Sequence, residues 1–205
     1  MKKLEELFSK ADRFGRIVAN RFNKIKDLND IRGIGAGKTV LITGASSGLG
    51  AMMARKFAFL GYDLAICARR LERREAIKAE LEGDYEQIFE VFGEFTKQIG
   101  QIDKIIVNAG VGDSRVIGHG RFNINRATAE INFIAAIAQG EAAMQIFRRQ
   151  NSGQLVVISS MSAVRGLPRH LTTYAAAKAG LARLAEGIRA DMIKEKLPIT
   201  VSTIY

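Results

Sequence analysis

The chain has 205 residues, 47% of them apolar and 25% charged, which is the balance of a soluble globular protein and excludes a disordered or fibrous one. A net charge of +10 asks for an anionic partner, but the basic residues are spread along the chain without a nucleic-acid recognition signature. A phosphorylated cofactor is therefore the expectation, and nucleic acid is not.

Residues 1–36 read as an amphipathic helical extension followed by a linker. Leu4, Leu7, Phe8, Ala11, Phe14, Val18, Phe22, Ile25 and Leu28 recur at helical spacing between lysines and arginines. The expected role is packing on the domain or on a second subunit. Peripheral contact with an anionic membrane surface is the sharper alternative and is not favoured. Asp12, Asp27 and Asp30 argue against an organelle transit peptide, and no apolar run reaches the length of a membrane span. With the single cysteine, Cys67, unable to form an internal disulfide, a cytoplasmic location is expected. Gly37-Lys38-Thr39 imitates a nucleoside-triphosphate loop, yet the glycine needed five residues earlier is Arg32 and the segment precedes its strand.

Residues 37–205 form the second unit. Val40-Leu41-Ile42 predicts a strand that leads through Thr43-Gly44-Ala45-Ser46-Ser47-Gly48-Leu49-Gly50 into a helix over about 48–60. Strand, glycine-rich turn and helix aim backbone N–H groups and a helix N-terminus at a phosphate. Gly44 lets the chain turn off the strand, Gly48 lets a pyrophosphate approach, and Gly50 lets the helix sit close on the sheet. Further strands are predicted at 63–68, 104–107, 155–158 and 199–204. Helices are predicted over about 71–82, 84–99, 126–150 and 173–196. Apolar strands alternating with helices mean a parallel sheet buried on both faces. His119 and His170 have no metal-ligand spacing, so no metal site is expected.

The phosphate turn, then Asn108-Ala109-Gly110, then Ser159-Ser160, then Tyr174-x-x-x-Lys178 stand in order at the ends of successive predicted elements. With these motifs the chain resembles the short-chain dehydrogenase/reductase family from Lys38 to Tyr205. The resemblance implies a Rossmann-type doubly wound α/β domain and an oxidoreductase that moves a hydride between a nicotinamide and a carbonyl/alcohol pair. It assigns catalysis to Asn132, Ser160, Tyr174 and Lys178. Tyr174 is the general acid/base, Ser160 holds the substrate oxygen, and Asn132 anchors a proton-relay water. It assigns cofactor contacts to Gly44, Ser46, Ser47, Gly48, Leu49 and Gly50, to Asn108, Ala109 and Gly110, and to Tyr174 and Lys178 at the nicotinamide ribose. A tyrosine with an unperturbed pKa near 10 needs roughly 4 kcal/mol to become a base at pH 7, and an ammonium about 4 Å away supplies that much. At the end of the second strand Ala68 stands where an NAD enzyme wants an acid, and Arg69-Arg70 follow, which suits a 2′-phosphate. NADP(H) is therefore preferred over NAD(H), with Arg69 the principal contact.

The chain departs from the family pattern twice. Between Leu81 and Ile88 no apolar run remains for a third strand, and nothing follows Tyr205 where the family continues into a substrate-covering segment and a last strand. Omission of stretches from a longer protein is expected more than a truncated relative, because a sheet bare at both edges is an aggregation hazard. Met161, Val164, Leu167 and Leu171 predict an apolar substrate mouth. A homodimer or homotetramer through the two long helices is implied by the family. The competing reading is a catalytically impaired nucleotide-binding or interaction protein of the same fold.

Overall fold

The computed structural model describes residues 33–67 and 85–205. Thr39–Thr43 (β1) is β-branched except at Leu41, and all five residues are buried, as befits a strand covered on both faces. It pairs in parallel with Asp63–Cys67 (β2) on one side and with Lys104–Val107 (β3) on the other. Gly153–Ile158 (β4) lies beside β3, and Ile199–Ile204 (β5) beside β4, again in parallel. The order β2-β1-β3-β4-β5 is that of a Rossmann-type sheet. From β1 the chain first builds outward to β2 and then crosses back to β3. That reversal opens a crevice beyond the carboxyl ends of β1 and β3.

The helices are Gly48–Phe59 (α1), Glu86–Ile99 (α2), Phe122–Ala129 (α3), Ala135–Gln150 (α4) and Thr172–Lys194 (α5). Because side chains alternate across a strand, β1 feeds two cores. Val40 and Ile42 join Leu64 and Ile106 under Met53, Ala54 and Phe57 of α1. Leu41 faces the other way, into a larger cluster with Phe92 and Phe95 of α2, Ala143 and Phe147 of α4, and Leu181 and Ala185 of α5. Each fully buried Leu, Ile or Phe there contributes about 1.5–3 kcal/mol.

All five predicted strands are present. The helix expected over 126–150 differs: it starts at Phe122, and Glu130–Ile134 is a π turn between α3 and α4. There the Ala135 N–H reaches the Glu130 carbonyl five residues back, which inserts one residue into the spiral. Among the described residues β2 and β5 are the sheet's edges. The predicted N-terminal helix, the charged helix over 71–82, and Arg69 and Arg70 lie outside the described residues. No helix among the described residues is long and apolar enough to cross a membrane.

Candidate active site

The crevice is lined by what leaves the carboxyl ends of β1, β3 and β4. At β1, Gly44 turns the chain with φ +67°, and Gly48 has φ +51° with open space where a side chain would project. Gly50 is required by contact: a Cβ there would stand 2.3 Å from the Gly44 carbonyl oxygen and 2.7 Å from Asn108 Nδ2. It lets α1 sit close on its own turn and on the neighbouring loop. Ser47 precedes the first turn of α1 in extended conformation without capping it, and that turn carries no acid. Backbone amides at a positive helix end, in open space, fit a phosphate group. Ser47 and Leu49 are exposed on the rim and Ser46 is half-buried.

Thr43 fastens this turn to the next loop. Its buried hydroxyl accepts from the N–H groups of Asn108 (3.0 Å) and Ala109 (3.1 Å) and donates to the Ile106 carbonyl (3.3 Å). Asn108 Nδ2 returns a bond to the Thr43 carbonyl at 3.0 Å. Asn108-Ala109-Gly110 is therefore fixed beside the glycine turn. Gly110 in turn touches the catalytic candidates: a Cβ on it would lie 2.6 Å from Asn132 Oδ1 and 3.5 Å from Lys178 Nζ.

Asn132 is fully buried in the π turn, and its amide holds both the N–H (2.9 Å) and the carbonyl (2.7 Å) of Val111. Its side chain bridges elements and does not fold back on its own helix. Lys178 Nζ donates to the Ile158 carbonyl at 2.8 Å and lies 6.0 Å from the centre of the Tyr174 ring. The Lys178 carbonyl accepts from the buried Ser159 hydroxyl at 2.9 Å, so the end of β4 grips both ends of that residue. Burial pushes the Lys178 ammonium down from 10.5 to about 8, so it remains charged at pH 7 at a cost of roughly 3 kcal/mol. Ser160 Oγ accepts from both the N–H (3.1 Å) and the hydroxyl (2.9 Å) of Ser162, which leaves its own proton free to donate into the crevice. Met161 and Val164, just beyond, are exposed at 72% and 71%.

Residues 38–205 match the family described as short chain dehydrogenase. A Mycobacterium tuberculosis protein described as an uncharacterized oxidoreductase is 45% identical over 177 residues, covering 79% of this chain and 70% of that one. The chain belongs to the short-chain dehydrogenase family of oxidoreductases. Solved structures agree. A Streptomyces avermitilis short-chain dehydrogenase superposes with a TM-score of 0.69 at 26% identity, over 81% of this chain and 64% of that one. Levodione reductase does so with a TM-score of 0.70 at 26% identity, over 82% and 70%. The chain thus spans about two-thirds of the length of the relatives it matches.

Within this short-chain dehydrogenase the crevice gathers the glycine turn, Asn108-Ala109-Gly110, Asn132, Ser160, Tyr174 and Lys178. Three contributions lie outside the roles that the motifs assign. Thr43 and Ser159 fasten loops through buried hydroxyls, and the Val111 backbone occupies the Asn132 amide. The signal for Thr43 is a β-branched hydroxyl directly before the glycine turn, at the end of a buried strand. Among the described residues no group of three His, Cys, Asp or Glu is placed to hold a metal.

Three outcomes are expected. Gly50→Ala should lower the unfolding free energy by about 1–3 kcal/mol in denaturant titrations. Gly93→Ala, at a helical position open on all sides, should raise it by about 0.5–1 kcal/mol. The Lys178 value below the ordinary lysine range means that the unfolded chain binds the proton more tightly. Stability relative to Lys178→Met should therefore be flat below about pH 8 and climb between 8 and 10.5. Urea melts of both proteins across that range test the sign.

Proposed function

We propose that this protein is an NADP(H)-dependent oxidoreductase that interconverts a small, largely apolar carbonyl compound and its alcohol, with Tyr174 as the general acid/base. The observation that carries the reading is the meeting of Asn132 and Lys178 at Gly110, beside the phosphate turn and on the same edge of the sheet as Ser160. The nicotinamide supplies or accepts the hydride. The chain's own groups handle orientation and the proton. Ser160 donates to the substrate oxygen, so that negative charge developing there during reduction is met by a fixed donor. Tyr174 gives its phenolic proton to that oxygen, and the Lys178 ammonium beside the ring stabilises the phenolate left behind. Asn132, with its amide already committed to Val111, stiffens the path for proton return from solvent.

Gly44–Gly50, with Ser46, Ser47 and Leu49 among them, would hold the cofactor phosphates on backbone N–H groups and the helix N-terminus. Arg69, assisted by Arg70, would hold the 2′-phosphate, because a guanidinium binds a phosphate by paired charge-assisted hydrogen bonds. Residues 37–205 constitute this catalytic domain and residues 1–36 an extension to it. Subunits pair through α4 and α5, where Ile134 and Ile137 leave apolar surface uncovered beside the start of α4 and on it.

Tyr174→Phe is expected to abolish turnover of a carbonyl panel, a fall of at least about a thousandfold, while leaving the NADPH dissociation constant within about twofold. NADPH should bind more tightly than NADH by fluorescence titration, and Arg69→Ala should remove about ten- to hundredfold of that preference. Equal affinity for the two cofactors would overturn the role of Arg69. Cofactor binding without turnover by the full-length protein would favour a nucleotide-binding role instead.

A further inference from the structure

Asn125 and Thr128 in α3 and Asn132 in the π turn are all buried, at spacings of three and four residues that place them along one helical face. Each meets the backbone of the segment after Gly110, at every second residue. Asn132 holds the N–H and carbonyl of Val111, the Thr128 hydroxyl shares its proton between the Asp113 carbonyl and the Ile124 carbonyl of its own helix (3.1 Å), and Asn125 Oδ1 accepts the Arg115 N–H at 2.7 Å. A helical turn rises about 5.4 Å and two extended residues span about 6.6 Å, so the two periods stay in step over this length. Apolar side chains would fill the same volume at no desolvation cost. Three buried polar ones are tolerable because each satisfies a backbone group, and each bond fixes the segment's register.

Between the rungs, Ser114 turns the other way. It is 1% exposed, and its hydroxyl donates to the carbonyl of His170. That carbonyl belongs to the Arg169–Leu171 turn, which leads directly into α5 and Tyr174. Arg169 has φ +61°, a left-handed conformation that an arginine adopts only under constraint. The Thr172 hydroxyl supplies a second constraint through the carbonyls of Arg169 (3.0 Å) and Leu167 (3.1 Å).

We propose that Asn125, Thr128 and Ser114 are positioning residues for the substrate side of the site. The first two zip residues 111–115 onto α3, and Ser114 passes that placement to the strained turn in front of Tyr174. The inference rests on the oxidoreductase reading only for its kinetic consequence. Substrate affinity depends on this relay, and cofactor affinity does not, because none of its bonds touches the phosphate turn or Asn108-Ala109-Gly110 and the Tyr174 hydroxyl is expected to add little to cofactor affinity.

The test compares wild type with Thr128→Val, which keeps the side-chain shape and removes the hydroxyl, with Thr128→Ser, which restores it, and with Ser114→Ala. Amide hydrogen exchange followed by mass spectrometry reads peptides covering 111–117 and 166–172. NADPH-linked assays on cyclic ketones and 3-oxo esters read KM, and fluorescence titration reads NADPH binding. Thr128→Val is expected to speed exchange roughly tenfold in both segments and to raise KM by a similar factor, with the NADPH dissociation constant within twofold. Thr128→Ser should restore wild-type behaviour, and Ser114→Ala should loosen 166–172 alone. Faster exchange at 111–117 with none at 166–172 in Thr128→Val would overturn the relay. So would a loss of NADPH affinity in step with the rise in KM, the mark of general destabilisation. If the wild type reduces none of the ketones, the proposed activity fails, and the exchange pattern still decides the relay.

Discussion

The crevice exists because one threonine hydroxyl joins the ends of two strands. Past Val107 the ladder between β1 and β3 has ended, and the N–H groups of the half-buried Asn108 and Ala109 need new acceptors. Thr43 Oγ1 accepts both, and Asn108 bonds back to the Thr43 carbonyl. The two loops are thereby held at van der Waals distance, and this makes the glycines obligatory. Gly44 has the Ala109 Cα where its own Cβ would stand, at 2.9 Å, and Gly50 has the Gly44 carbonyl. The composition of the phosphate turn is a consequence of this junction as much as of any ligand. A turn with bulkier residues could not lie beside Asn108-Ala109-Gly110.

The opposite wall is organised around a group that the fold would be more stable without. Lys178 is 4% exposed, and its bond to the Ile158 carbonyl does not prevent burial from lowering its proton affinity. The stabilisation that offsets it comes from the rest of α5. Leu181, Ala185 and Met192 carry the helix onto the larger core, and the Ser159 hydroxyl pins the Lys178 backbone. Such opposition between local cost and surrounding stability is expected where a charge is kept in a functional crevice. It also explains why the lysine is gripped twice by consecutive residues, Ile158 and Ser159.

The sheet and most of the crevice were legible in the sequence because their signals are local. Val40-Leu41-Ile42 and Lys104-Ile105-Ile106-Val107 are short β-branched runs bounded by turns. Tyr174 and Lys178 sit one helical turn apart in any helix, whatever it packs on. Residues whose work is done across the chain were not legible. Ser159 acts on Lys178, 19 residues later, and Thr43 acts 65 residues away, so neither role has a spacing to betray it. The zipper of Asn125, Thr128 and Asn132 has a visible helical period. Its partners are backbone groups, however, and backbone groups have no sequence.

The π turn belongs with these, and its reason can be given. In an unbroken α-helix Asn125, Thr128 and Asn132 would fall on the same stripe as Ala136, Gln139 and Ala143 further along. The first set must face the loop at 111–115, while Ala136 and Ala143 pack into the core against the sheet. One helix cannot present both faces in one direction. The extra residue at Glu130–Ile134 rotates the second stripe away from the first, and Asn132 stands at the break with its amide spent on Val111. An insertion that would cost stability in an isolated helix here lets one continuous element hold the 111–115 loop with its first half and the core with its second. Period counting reads through it, because each half is helical and the fault lies only in their phase.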